Sequence, residues 1–416
     1  MIRSLYSGVS GLTNHQTKMD VIGNNIANVN SYGFKASKAI FKDIFYQTTI
    51  GQTSGSASIA GNNPATVGYG VQIADITKDM SMSSLQSTNR TLDLAISGEG
   101  FFVTATFPFS AGEPAVNIPT AAAQYDAGKA TADDYSSCSQ VLYTRMGNMG
   151  VDSYGNLVAG SNTFLLGTRN NALGLSQISD ESSDTLMNEE LKDVNGDNKV
   201  DAADLTFENT ININKLIQEA YNIHTDESGF LYTYTSVVPT QDATTKEWTV
   251  AYSTPVYCDK SGEPITDSSG ATIPWAATAD AAAIKAAIDK GAIQGEFTFK
   301  DLGAFNIGKT GVITTTYNNV MKAIARIEVA VFDNQEGLIE AGNTSYSETA
   351  ASGSPSIKAP GSEGAGQVIS NKLEMSNVNL ANEFSDMIVT QRGFQANSRI
   401  ITVSDTMLEE LVNLKR

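Results

Sequence analysis

The two ends of the chain carry apolar stripes at helical spacing, and the middle does not. Near the N-terminus Leu5, Val9, Leu12, Gln16, Met19, Ile22, Ile26 and Val29 recur at steps of three or four. Near the C-terminus Leu380, Phe384, Met387, Gln391, Phe394, Ser398, Ile401, Asp405, Leu408 and Val412 alternate strictly between steps of four and three. That alternation averages 3.5 residues, the coiled-coil repeat, rather than the 3.6 of an ordinary amphipathic helix. A seam of this kind needs a partner, and the nearest is the other end of the same chain. The stripes predict a multidomain α+β protein in which paired N- and C-terminal coiled-coil helices carry nested, mainly β domains. Polar Gln16, Gln391, Ser398 and Asp405 weaken an isolated pair, which points to contacts with further helices. The alternative is two amphipathic helices packed on a globular core. Against it, the C-terminal pattern runs roughly forty residues without Pro, about 60 Å of helix.

Few residues are available for catalysis. There are two histidines, His15 and His224, in 416 residues, which excludes His-rich metal sites and most His-based triads. No phosphate loop, nucleophile elbow or zinc-binding helix motif is present, so an enzyme is not expected. Lys plus Arg number 27 against 45 Asp plus Glu, a net charge of -18, with no basic cluster. Nucleic acid and anionic membrane are poor partners for such a surface. No run of eighteen apolar residues exists, so no segment is expected to span a bilayer. The N-terminus lacks the apolar core and cleavage site of a secretory signal, which by ordinary rules predicts a cytosolic protein. Cys138 and Cys258 read as two thiols or as one long-range disulfide.

The texture of the chain changes in a nested order. Residues 1–34 and 372–416 read as a terminal helical core domain. Asn24, Asn25, Asn28, Asn30 and Gly33 supply the turn chemistry of the first helix's exit. Residues 35–70 and 354–371 read as linkers, small, polar and Gly/Ser-rich in part. Residues 71–167 and 309–353 read as a β-rich inner domain with a surface insertion at 105–140, on the alternating segments VQIADI and LDLAI and a turn at Tyr154, Gly155 and Asn156. Residues 168–308 read as an inserted outer domain.

Five blocks are similar, in order, to the bacterial flagellar rod and hook protein family. They are SLYSGVSGLTNHQTKMDVIGNNIANVNSYGFK (4–35), NRTLDLAISGEGFFV (89–103), YTRMGNMGVDSYGNLV (143–158), VFDNQEGLIEAGNTSYSETAASG (331–353) and LEMSNVNLANEFSDMIVTQRGFQANSRIITVSDTMLEELVNL (373–414). Within the family the length, the insertion between β blocks and the QRGFQAN run favour the hook branch, the subunits of the curved joint between rod and filament. A distal-rod-like protein is the runner-up. The resemblance implies a homo-oligomeric helical tube with the terminal helices at its core and β domains outside. It further implies other axial proteins as partners (distal rod, hook cap, hook–filament junction) and passage through the flagellar type III export apparatus without a cleaved signal. The expected location is then extracellular, in the hook and basal body, against the cytosolic reading above, and the disulfide stays open. The core positions are Leu5, Val9, Leu12, Met19, Ile22 and Ile26, facing Phe384, Met387, Phe394, Ile401, Leu408 and Val412. Each of them serves packing within the chain or between subunits.

One segment falls outside that family pattern. In DVNGDNKVDAAD (193–204), Asp193, Asn195, Asp197, Lys199, Asp201 and Asp204 hold positions 1, 3, 5, 7, 9 and 12 of a calcium loop, Lys199 through its carbonyl. Asn198 replaces the usual Gly at position 6 and Asp204 the usual Glu at position 12; Asn tolerates the left-handed backbone needed there. The expectation is one structural Ca²⁺ pinning the inserted domain, and the alternative is an acidic surface turn. The loop also supports a different reading of the whole chain, a calcium-dependent extracellular binding module on a helical stalk.

Overall fold

A computed structural model describes residues 2–52, 62–106 and 140–169, less 153, 154, 161 and 162; pieces of 211–272; and 304–414, less 318, 319 and 363. Three α-helices lie among them: α1 (Ile2–Ala27), α2 (Ile213–Tyr221) and α3 (Leu380–Asn413). The chain divides into two compact units, one made of Met1–Ser84 with Met375–Arg416, the other of Leu85–Glu374. No helix among the described residues is long and apolar enough to cross a membrane.

The terminal unit holds α1, α3 and four strands. α1 stops where asparagine side chains compete for its carbonyls: Asn28 Nδ2 donates to Asn24 O at 3.0 Å, and Ser31 Oγ donates to Asn28 Oδ1 at 3.0 Å. Gly33 then turns the chain with φ 70°, a conformation open to glycine. β1 (Ser37–Asp43) pairs antiparallel with β4 (Val71–Lys78), and β2 (Tyr46–Ile50) with β3 (Ala65–Gly68). The stretch 35–70 thus carries three strands where a linker is expected. Its β1 has one buried residue, Ala39, and β2 is exposed throughout, so no run of buried apolar residues marks them. α3 starts at Leu380, with Asn379 Oδ1 accepting from the N–H groups of Ala381 and Asn382.

The second unit is antiparallel β. Its largest sheet runs in the order Ile339–Gly342, Ser345–Ser347, Gln140–Thr144, Phe101–Thr106, Thr163–Leu165, Leu157–Ala159, Met149–Val151, with Val329–Val331 pairing Phe101–Thr106 and Ser356–Lys358. A four-stranded sheet contains Gly167–Arg169, Val320–Ile327, Val312–Tyr317 and Ala304–Ile307. Segment 354–371, expected as a linker, supplies Ser356–Lys358 and Gln367–Ser370, the latter paired with Leu94–Ser97. Residues 372–374, expected as helix, are a strand paired with Leu85–Ser87. Leu94, Ile96, Phe101, Phe102, Leu165, Ile313, Ile324 and Ile327 have no exposure. α2 adds Ile213, Leu216, Ile217 and Ala220 to this core. Two ion pairs are buried in it, Arg145 Nη1 to Glu374 Oε2 at 3.3 Å and Arg326 Nε to Glu328 Oε1 at 2.8 Å. Arg145 Nη2 also donates to Gly98 O at 2.8 Å, which helps offset the desolvation of its charge.

Candidate assembly face of the terminal helices

α1 and α3 run antiparallel. Gly8 lies against Ile401, Gly11 against Asn397 and His15 against Gly393, while Asn25 donates to Glu383 Oε1 at 3.2 Å. The approach is close because glycines line it. A Cβ on residue 11 would fall 2.6 Å from Asn397 Nδ2, and one on residue 393 would fall 2.8 Å from His15 Nε2. Each helical glycine costs about 1 kcal/mol of helix propensity against Ala, offset here by contact that no larger residue permits. Asn25, buried, ties the pair to β1: its Nδ2 donates to Ser37 O at 2.8 Å, and its Oδ1 accepts from Ser37 N at 3.0 Å.

The inward face of α3 keeps one of the two expected rows and displaces the other. Glu383, Met387, Thr390, Phe394, Asn397, Ile401, Ser404 and Leu408 are buried or partly buried, at steps that alternate four and three. Met387, Phe394, Ile401 and Leu408 are the expected positions. The other expected row, which includes Phe384 and Val412, is shifted by one residue, and those two are 50 and 67 % exposed. Space is the reason. Where the glycines of α1 press close, the row facing them accepts Thr390, Asn397 and Ser404, not an aromatic ring. On α1, Leu5, Leu12, Met19 and Ile26 are partly buried, Ile22 is buried, and Val9 is largely exposed. Within one chain, then, Val9, Phe384 and Val412 do not close the helix pair.

A second apolar row flanks the contact with α1, Ile400 at its near edge with Cγ2 3.6 Å from where a Cβ on Gly8 would stand. Ile400, Val403, Met407 and Leu411, at steps of three, four and four, are 44, 52, 53 and 49 % exposed. On a helix these positions share one face. In the antiparallel register Ile400 and Val403 lie beside the first turns of α1 and Leu411 extends past Ile2, and all four side chains keep about half their surface exposed. Such contiguous apolar exposure on a soluble chain marks an interaction surface.

Two ionisable groups sit in the helix contact. Burial, then the ammonium of Lys18, hold the His15 pKa below the ordinary histidine value. Burial raises that of Glu383, while its bond from Asn25 and the nearby Lys18 oppose the rise.

The expected calcium ligands, Asp193, Asn195, Asp197, Lys199, Asp201 and Asp204, lie outside the described residues, as does Cys138. Cys258 is buried, its N–H bonded to Leu231 O at 3.0 Å. Sequence reading passed over Gly8, Gly11, Gly393 and Asn397, and assigned Asn25 to the turn at the helix exit where it instead joins α1 to Ser37 and Glu383. The available signal was the presence of glycines inside helical periodicity, which implies a packing reason for their cost.

Both helices carry recognisable family signatures. Residues 5–35 match the flagella basal body rod protein model, and residues 369–414 match the flagellar basal body rod FlgEFG protein C-terminal model. The flagellar hook protein FlgE of Borreliella burgdorferi is 32% identical over the full length of both chains. The flagellar basal-body rod protein FlgG of Bacillus subtilis is 31% identical, again with full coverage of both. The flagellar hook protein FlgE of Treponema pallidum is 30% identical over the same full extent. With end-to-end relatives of both kinds, and the two signatures falling on the helices that pack together, the chain belongs to the flagellar hook and basal-body rod protein family.

Proposed function

We propose that this chain is the structural subunit of the flagellar hook, many copies polymerising into a curved, flexible tube that transmits torque from rod to filament. It has no catalytic role. The single observation that carries the assembly reading is the exposed row Ile400, Val403, Met407 and Leu411, left uncovered by the helix pair that the family signatures mark. Covering each such half-exposed side chain stabilises an assembly by about 1 kcal/mol, roughly half the value of a full burial, and a repeated head-to-tail contact that does not close gives an open helical tube. Neighbouring copies would cover this row together with Phe384, Val412 and Val9, while Met387, Phe394, Ile401 and Leu408 hold the intrachain pair.

The hook reading is preferred to a distal-rod role by the insertion between β blocks within the 85–374 unit, since hook and rod relatives alike match end to end. The wider reading includes export through the flagellar type III apparatus without cleavage, an extracellular location, and contact with distal-rod, hook-cap and hook–filament junction proteins. Electron microscopy of cells lacking the protein tests it: hook and filament should be absent beyond a completed rod. Cells that still carry hooks would refute it.

A structural Ca²⁺ at residues 193–204 belongs to the same proposal and rests on ligand spacing alone. With a micromolar dissociation constant, millimolar external calcium would stabilise the surrounding domain by about 4 kcal/mol. Chelation should lower the melting temperature of the wild type and leave Asp193→Ala unmoved; an unchanged wild-type value would remove the site.

A further inference from the structure

His15 sits where three elements of the terminal unit meet. Its imidazole lies over Gly393 of α3, the only residue type whose Cα leaves room for it. Its ring meets Phe41 of β1 edge to face, centroids 5.7 Å apart at 85°. Nδ1 is shielded from water and has no hydrogen-bond partner. A neutral imidazole tolerates this by leaving Nδ1 as a bare acceptor. Protonation turns both nitrogens into donors and leaves a charged N–H with nothing to accept it.

The surrounding charges do not help a cation there. Lys18, one turn along α1, is repulsive. On β1, Lys38 and Lys42 alternate with Phe41 onto the opposite, exposed face, and exposed Asp43 is hydrogen-bonded to Tyr46. On β4, exposed Asp75 accepts from its neighbour's N–H, Ile76, at 2.7 Å, and Lys78 ends the strand. On α3, Arg392 is exposed and donates to Gln395; Asp386 and Glu383 precede Gly393 by about two to three turns.

We propose that His15 makes the α1–α3 contact acid-labile: the helices close on a neutral imidazole and are pushed apart by an imidazolium, so that mild acid loosens the terminal unit. The sign follows from linkage. Because the folded pKa is depressed below 6.5, the unfolded chain takes the proton first. This group's contribution is complete above pH 6.5 and is lost as the pH falls through its folded pKa. Glu383 acts oppositely, since its raised pKa lets the folded unit take a proton before the unfolded chain does. Comparing variants, rather than reading one curve, isolates His15.

Hydrogen exchange of α1 amides in the full-length protein tests this, corrected for intrinsic rate, at pH 7.5 and 5.0. Exchange in the wild type and in His224→Gln should rise in acid. His15→Gln should remove that rise. An equal rise in His15→Gln overturns the proposal. Should that variant fail to fold, an NMR titration of the wild-type imidazole decides: a midpoint below 6.5 supports the proposal, and one at or above it refutes it.

Discussion

Among the described residues between Leu85 and Glu374 most large apolar side chains are inside, Met321 and Ile339 excepted, and buried arginines and glutamates are paired, Arg145 with Glu374 and Arg326 with Glu328. In the unit built from the two termini, long apolar residues such as Ile388, Val389, Val403 and Met407 stay exposed, and glycine, threonine, asparagine and serine share the contact between helices with Met387, Phe394, Ile401 and Leu408. One unit satisfies itself, whereas the other uses small residues internally and keeps part of its apolar surface for something else. The difference teaches that the folding of this protein and its assembly draw on separate sets of residues, so each can be broken without the other.

Arg145→Met should strike hardest. It leaves the Glu374 carboxylate buried and unpaired, and breaking such a pair costs about 3–5 kcal/mol. Urea denaturation of the second unit would read the loss, and a change under 1 kcal/mol would show that this unit does not depend on its internal pairs. Val403→Asp should do the reverse, leaving that denaturation curve in place while removing roughly 3 kcal/mol from an intersubunit contact, over a hundredfold in the assembly equilibrium. Sedimentation of tubes formed at rising protein concentration measures it; tubes at wild-type concentration would contradict the division of roles. Gly393→Ala and Gly23→Ala form a sharper pair. A Cβ at 23 meets nothing within 4 Å, so helix propensity should stabilise the terminal unit by up to about 1 kcal/mol. At 393 the same methyl meets His15, and overpacking should destabilise by about 1–2 kcal/mol net. Thermal melts followed at the helical signal distinguish them, and equal shifts would mean the helices do not approach as closely as Gly393 indicates. The smallest effect belongs to Asn379→Ala, which removes the cap of α3 and should cost about 1 kcal/mol in the same melts.

Much of this organisation was legible in the chain. The helix pair, the family and the row Met387, Phe394, Ile401 and Leu408 follow from periodicity and motif. The companion row was misread because a search for apolar residues rewards Phe384 and Val412 and passes over Thr390, Asn397 and Ser404. Gln391, Ser398 and Asp405 in the expected row already signalled the error. The flanking row Ile400, Val403, Met407 and Leu411 does not show for a related reason: two apolar rows share α3, and a single-stripe reading follows one of them. The strands within 35–70 were not legible because exposed two-stranded pairs bury too little to leave a pattern.

The most direct test is the reactivity of a thiol placed at Val403→Cys, read by mass spectrometry of its own peptide after brief maleimide treatment. The residue should label readily in the dissolved subunit and be protected at least tenfold once tubes have formed. Equal labelling in both states would show that the flanking row of α3 stays open in the assembly and that subunits are joined elsewhere.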